Sequence, residues 1–236
     1  MNTEAVRAEL AAFAQALEHR SAEDILRWAS DHYDHRLTCA SSLGIEDCVL
    51  IDMIARAKLP VDLFTLDTGL LCAETSGLWR QIEDRYGVTI RAVRPEHTVA
   101  EQTVHEGAEL WLREPDRCCD LRKMQPLAQT LSRFDAWITA IRRDQTPERA
   151  NAPIVGWDGR FALIKINPLA RWTFDEVKAY AAEHDVPYNL LHDRGYPSIG
   201  CVPCTSPVRL GEDPRSGRWR GKEKTECGLH LRPPQS

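Results

Sequence analysis

Eight cysteines are present in this 236-residue chain, and their spacing is uneven. Cys118 and Cys119 are adjacent, and Cys201 and Cys204 form a Cys-Val-Pro-Cys knuckle far downstream. Four thiolates in two such pairs can make one closed sulfur cage, and soft sulfur ligands suit zinc or an iron–sulfur cluster. A zinc ribbon carries two Cys-x-x-Cys knuckles roughly 15–20 residues apart. Here one knuckle is vicinal and the separation is far greater. Adjacent residues have little freedom to reach one small tetrahedral ion together, whereas a cubane offers irons at different corners. The pattern therefore favours an iron–sulfur cluster over zinc or unliganded thiols. A thioredoxin-like redox pair at Cys201 and Cys204 fits poorly, because the stretch before it does not read as a strand.

Cys227 belongs to neither pair. It lies in Glu226-Cys227-Gly228-Leu229-His230, after Arg209, Arg215, Arg218, Arg220, Lys222 and Lys224. Cations lower a thiol's pKa and raise the fraction of nucleophilic thiolate. Cys227 is thus a candidate nucleophile, against the plainer reading of a bystander on a frayed end. Cys39, Cys48 and Cys72 fall on a strand or on apolar helix faces and read as buried small hydrophobes.

The elements that must position these thiols follow from periodicity. The first 34 residues read as two amphipathic helices, with Val6, Leu10, Phe13 and Leu17 at helical spacing and Ser21 as N-cap of the second. They suit a packing cap or a contact between copies in a homo-oligomer. Residues 35–208 alternate short apolar runs with helical stretches. Strands are expected at Leu37–Ala40, Val61–Leu66, Val88–Val93, Ala136–Ile141 and Ala162–Ile166. Such alternation implies right-handed crossovers and an α/β fold, a mostly parallel twisted sheet flanked by helices. Ligands of these sheets bind at the C-terminal ends of the strands. Loops 41–47, 67–69 and 142–149 lie there, so Ser41, Ser42, Gly44, Asp47, Arg142 and Arg149 become candidate substrate contacts. The Ser41–Asp47 turn can present backbone N–H groups to an anion at a helix N-terminus. It lacks the Gly-Lys-Ser/Thr of a Walker A loop. Lys123, Arg215 and Arg218 are further candidate anion contacts. Residues 209–236 read as a mobile C-terminal tail, rich in Pro, Gly and Arg.

Composition narrows the class. Apolar residues make up 43%, enough for a core, and the net charge of −5 argues against general nucleic-acid or membrane-surface binding. The N-terminal stretch has no uninterrupted apolar segment of a secretory signal, and no apolar run approaches the roughly 20 residues of a membrane span. The expected compartment is the cytoplasm, where thiols stay reduced and serve as ligands or nucleophiles.

Together these residues resemble the assimilatory adenylyl-sulfate reductases of the adenylyl-sulfate/phosphoadenylyl-sulfate reductase family. The matching stretches are Ser41–Asp47, Leu66-Asp67-Thr68-Gly69, Cys118-Cys119 with Arg122-Lys123, Arg142-Arg143-Asp144-Gln145, Cys201-x-x-Cys204 and Glu226–His230. The cysteine pattern with the terminal Glu-Cys-Gly-Leu-His is highly specific; the Ser-rich loop is shared with ATP pyrophosphatases. The resemblance implies an adenine-nucleotide-hydrolase-like, Rossmann-like α/β domain and one [4Fe–4S] cluster on Cys118, Cys119, Cys201 and Cys204. It implies that Cys227 attacks adenylyl sulfate, expels AMP and becomes an S-sulfocysteine, which thioredoxin reduces to release sulfite. Lys123, Arg215, Arg218 and His230 would then stabilise the departing charge. Ala140 stands where relatives usually have glycine, and its methyl would crowd a nucleotide approaching that backbone. The rival readings are a phosphoadenylyl-sulfate reductase, an ATP-pyrophosphatase-type adenylating enzyme, and a zinc-stabilised binding module.

Overall fold

A computed structural model of the chain describes residues 3–222 and 224. Two helices open it, α1 (Thr3–Leu17) and α2 (Ala22–Tyr33). Ser21 caps α2 as its spacing predicts, its Oγ accepting from Asp24 N at 3.1 Å. Then follow β1 (Leu37–Ser41), α3 (Ile45–Arg56), β2 (Asp62–Leu66), α4 (Ala73–Tyr86), β3 (Ile90–Val93) and α5 (Val99–Glu106). Two short helices, α6 (Leu110–Arg113) and α7 (Pro115–Cys119), lead into a π turn (Asp120–Met124) and α8 (Gln125–Leu131). The remainder is β4 (Ala136–Ile138), β5 (Val155–Asp158), β6 (Leu163–Ile166) and α9 (Phe174–Glu183).

The sheet has the order β3-β2-β1-β4-β6-β5. All neighbours are parallel except β5 and β6. Chain order reverses at β1, which pairs with β2 on one side and β4 on the other, so the crevice of a nucleotide-binding sheet opens there. Leu37, Cys39, Ile138 and Ile166 face α2, α3 and α9 in the larger core. Phe64, Trp137 and Leu163 face Leu127 and Leu131 of α8 on the opposite side. Fully burying each such side chain contributes about 1.5–3 kcal/mol, which is why strands covered on both faces read as unbroken apolar runs.

Three details depart from the sequence reading. The edge strand β5 is not in the expected set. Gly156 sits inside it and Trp157 faces outward, so its inward signal is confined to a few residues. Helix α1 packs against this strand and covers that edge of the sheet. Strand β4 ends at Ile138, three residues early. Beyond it Thr139 turns aside, its N–H donating to Ile166 O at 2.9 Å and its hydroxyl to Asn167 Oδ1 at 2.5 Å. Cys72 is no face residue. It is the half-buried N-cap of α4, with its thiol 3.0 Å from Thr75 Oγ1. Cys39 and Cys48 are fully buried, as expected. Among the described residues no helix is long and apolar enough to cross a membrane.

Candidate active site

The turn after β1 is organised from within. Asp47 Oδ2 accepts from Ser42 N at 2.8 Å, Ser42 Oγ at 2.6 Å and Gly44 N at 3.3 Å. Ser41 Oγ accepts from Leu43 N at 3.0 Å, which helps Leu43 hold φ 59. Two of the turn's N–H groups, those of Ser42 and Gly44, therefore already meet a carboxylate of the chain. Burial pushes Asp47 up to about 6, against the pull of those hydrogen bonds. Ser41 and Asp47 are buried; Ser42 is exposed and Gly44 half-exposed at the mouth.

The loop after β4 locks onto this turn. Arg142 is buried, pairs with Glu46, and donates from Nε to Asp144 Oδ1 at 2.9 Å. Gln145 Oε1 accepts from Arg142 N at 3.0 Å and from Arg149 Nη1 at 2.6 Å, while its Nε2 donates to Glu46 Oε1 at 3.1 Å. Two loops that flank the switch point are thus one network, and Arg149 is carried on its rim.

The four paired cysteines come together. Cys118, Cys119, Cys201 and Cys204 line a single pocket with Lys123, Arg122, Arg218 and Trp219. Cys118 and Cys119 end α7, directly before the π turn that carries Arg122 and Lys123. Such wide turns recur at functional sites. Burial, then the neighbouring Cys201 and Cys204, push the Cys118 thiol up; burial and Cys201 do the same to Cys204. Arg122 is 3% exposed. It donates to Thr68 O at 2.5 Å, Gln102 Oε1 at 3.0 Å and His97 O at 3.3 Å, all uncharged acceptors. The buried indole N–H of Trp219 reaches the Cys204 thiol and favours its thiolate. No carboxylate stands among the described residues lining the pocket. Soft donors, fixed cations and an N–H directed at a thiolate suit a polynuclear, net-negative iron–sulfur group. Among the described residues no three of the His, Cys, Asp and Glu side chains gather closely enough for a single ion.

Residues 205–219 fold back onto the cysteine loop, so the expected tail boundary at Arg209 falls inside a hairpin. Ser206 N donates to Gly217 O at 2.9 Å, Trp219 N to Cys204 O at 3.2 Å, and Thr205 bridges Arg218. This return brings Arg218 to the pocket and Arg215 next to it, both donating to Ser198 Oγ, at 3.5 and 3.4 Å. Lys224 pairs with Asp116 of α7 and lies 5.3 Å from the Trp219 ring centroid. Cys227 and His230 lie outside the described residues. The nucleotide side and the thiol side meet at Thr68, whose Oγ1 is 3.3 Å from Cys201 Sγ, and at Leu70 O, which accepts from Val202 N at 2.8 Å.

Sequence reasoning left Thr68, Arg122, Ser198 and Trp219 without roles. Arg122 stands four positions after Cys118, the helical spacing that places two residues on one side. Trp219 is a large aromatic in an otherwise polar, Arg-rich stretch. Both were usable signals. Lys165, also unassigned, lies buried over the Trp137 ring at 4.8 Å, and burial pulls its amine down to about 8.

Comparison with known proteins agrees with this geometry. Residues 36–207 match the family described as the phosphoadenosine phosphosulfate reductase domain. The chain is 45% identical over 219 residues to an adenosine 5′-phosphosulfate reductase of Bacillus velezensis, covering 92% of this chain and 94% of the relative. It is 47% identical over 218 residues to an adenosine 5′-phosphosulfate reductase of Mycolicibacterium smegmatis, with 92% of each covered. Among solved structures, a phosphoadenylyl-sulfate reductase from Candida auris in a phosphate complex superimposes with a TM-score of 0.75 at 32% identity, covering 84% of this chain and 96% of that one. A Candida glabrata FMN adenylyltransferase shares the fold alone, with a TM-score of 0.56 at 15% identity. The sheet, the linked loops and the thiol pocket thus sit in a sequence that belongs to the phosphoadenosine phosphosulfate reductase family, on the side of its adenosine 5′-phosphosulfate reductases.

Proposed function

We propose that the chain reduces adenylyl sulfate to sulfite and AMP in sulfate assimilation, with thioredoxin as reductant and Cys227 as nucleophile, in the cytoplasm. The observation that carries this reading is the junction at Thr68, where a nucleotide-binding crevice and a four-thiol pocket share one wall. The crevice holds the adenylate end of the substrate. The activated sulfate then lies toward Lys123, Arg215 and Arg218. The Cys227 thiolate attacks the sulfur, the sulfur–oxygen bond to AMP breaks, and the electron pair leaves on the phosphate oxygen. Fixed cations in a dry site stabilise that charge. The product is an S-sulfocysteine. The thioredoxin dithiol supplies two electrons, becomes a disulfide, and frees sulfite and the Cys227 thiol.

Cys118, Cys119, Cys201 and Cys204 would hold one [4Fe–4S] cluster, which when bound supplies a rigid charged wall rather than a step of the reaction. Arg122 and Lys123 balance its charge, and Lys123 is shared with the substrate. His230 is assigned to the same charge stabilisation as Arg218. Lys224, a few positions before Cys227, is held against the pocket wall by Asp116 and Trp219.

The test mixes the protein with adenylyl sulfate in the absence of thioredoxin and digests it. A sulfonate adduct of about 80 Da is expected on the peptide containing Cys227. An adduct on Cys72 instead, or sulfite formation by Cys227→Ser, would refute the mechanism. Cys227→Ser is expected to keep its iron and its AMP affinity. Adenylyl sulfate is expected to give the higher kcat/KM; equal values with the 3′-phosphorylated substrate would remove the preference.

A further inference from the structure

Arg218 is held by the backbone of the cysteine loop rather than by a carboxylate in that loop. Its Nε donates to Cys204 O at 3.2 Å and its Nη1 to Ile199 O at 3.3 Å. Its guanidinium carbon lies 4.5 Å from the Trp219 ring centroid. The residue is 9% exposed. The plane of the guanidinium fills the space where Gly200 has no side chain. A Cβ at Gly200 would stand 2.5 Å from the guanidinium carbon and 2.9 Å from Nη1.

Two glycines close this hairpin, and they act differently. A Cβ at Gly217 would press into the backbone of Ser206, which the hairpin cannot yield. At Gly200 only the end of a flexible side chain is in the way. Gly200 also shows no positive φ, so alanine suits its backbone. Its N–H donates to Thr205 Oγ1 at 3.1 Å, a bond that alanine keeps. Replacing Gly200 therefore leaves the loop and displaces Arg218.

We infer that Gly200 is a positioning residue for the reductase reaction, leaving the space that seats the Arg218 guanidinium beside the departing phosphate. The inference rests on the reading above that Arg218 meets the sulfonucleotide. It assigns the glycine before Cys201 to the substrate cation, separately from its neighbour's role as a ligand. A displacement of about 1 Å in a catalytic contact can cost on the order of 10²-fold in rate.

The test is a double-substitution cycle on the holoenzyme, using Gly200→Ala, Arg218→Ala and both together. Four readouts are taken: iron content, melting temperature, steady-state kcat and KM for adenylyl sulfate, and the single-turnover rate of adduct formation at Cys227. Gly200→Ala is expected to keep its iron and its melting temperature, to lose about 10²-fold in adduct formation and kcat, and to change KM less. In the Arg218→Ala background it is expected to add nothing, since the group it positions is gone. Loss of iron in Gly200→Ala, or rate losses that multiply in the double variant, would overturn the inference while leaving Arg218 as a substrate contact. A full-rate Arg218→Ala protein would overturn the reading of Arg218 itself.

Discussion

The turn after β1 and the cysteine pocket stand side by side, yet they are built on opposite principles. In the turn, each donor finds an acceptor within the chain: Asp47 gathers Ser42 and Gly44, and Glu46 gathers Arg142 and Gln145. In the pocket, thiols and cations line one wall, with no carboxylate among its described lining residues, and the Trp219 indole N–H reaches the Cys204 thiol. A region whose charges cancel internally is preorganised and waits for a substrate to slide in. A region that gathers soft thiols and cations is shaped to receive a further group. The contrast singles out the pocket as the region whose shape the proposed cluster would complete.

The comparison breaks most visibly at a ligand. Cys201→Ala is expected to lose the bound iron and essentially all sulfite formation. The turn after β1 has its own hydrogen bonds, so AMP affinity is expected to stay within about twofold. Iron analysis and calorimetric titration with AMP decide it. An equal collapse of AMP affinity would mean that the Thr68 contact makes the two regions one unit.

Arg122 tests whether the pocket is built for a negative group. Burial pulls its pKa down, and the Cys118 and Cys201 thiols, with Asp67, oppose that shift. Arg122→Met leaves the acceptors of Thr68, His97 and Gln102 without their donor, costing about 1–3 kcal/mol in urea unfolding. It also removes the fixed charge, so iron is expected to be lost faster to a chelator than in the native protein. An Arg122→Met protein that keeps its iron as long as the native one would show that Arg122 serves packing alone.

Much of this was legible beforehand, and the gaps have physical causes. Parallel strands buried on both faces announce themselves as apolar runs, which made β1, β2, β4 and β6 readable; β3, an edge strand with Arg91 exposed, was readable from Ile90 and Val93 at its two ends. β5 is an edge strand with one covered face and a glycine, and the pattern there is thin. The grouping of Cys118, Cys119, Cys201 and Cys204 around one pocket was legible because thiol pairs are rare and their spacing differs from that of a ribbon. Thr68 and Ser198 were not, because their roles depend on three loops meeting, and no local pattern records such a meeting. The folding back of residues 205–219 was hidden for the same reason. A Pro-, Gly- and Arg-rich stretch reads as solvated chain until Gly217 meets Ser206 and Arg218 finds Gly200.

The smallest effect sharpens the comparison from the side of the turn. Asp47 reaches about 6 in the folded chain and returns to about 4 when unfolded. Its folded pKa is raised, so the folded state binds the proton more tightly. The stability this contributes is complete below about pH 4 and is lost as pH rises through about 6. Integrated over the window, the loss is on the order of 2–3 kcal/mol as an upper bound, and many carboxylates titrate in the same range with the opposite sign. The measurable quantity is therefore a difference. Asp47→Asn keeps an acceptor for Ser42 and Gly44 but does not titrate. Urea midpoints of the native and Asp47→Asn proteins, taken from pH 4 to pH 7, are expected to shift relative to each other. The Asp47→Asn protein should gain on the native one as pH rises, with the change centred between the two pKa values. A parallel pair of curves would mean that Asp47 stays ionised throughout, with the turn's hydrogen bonds outweighing its burial. The turn would then be as strongly charged inside as the cysteine pocket, and the contrast between the two regions would shrink to one of sign.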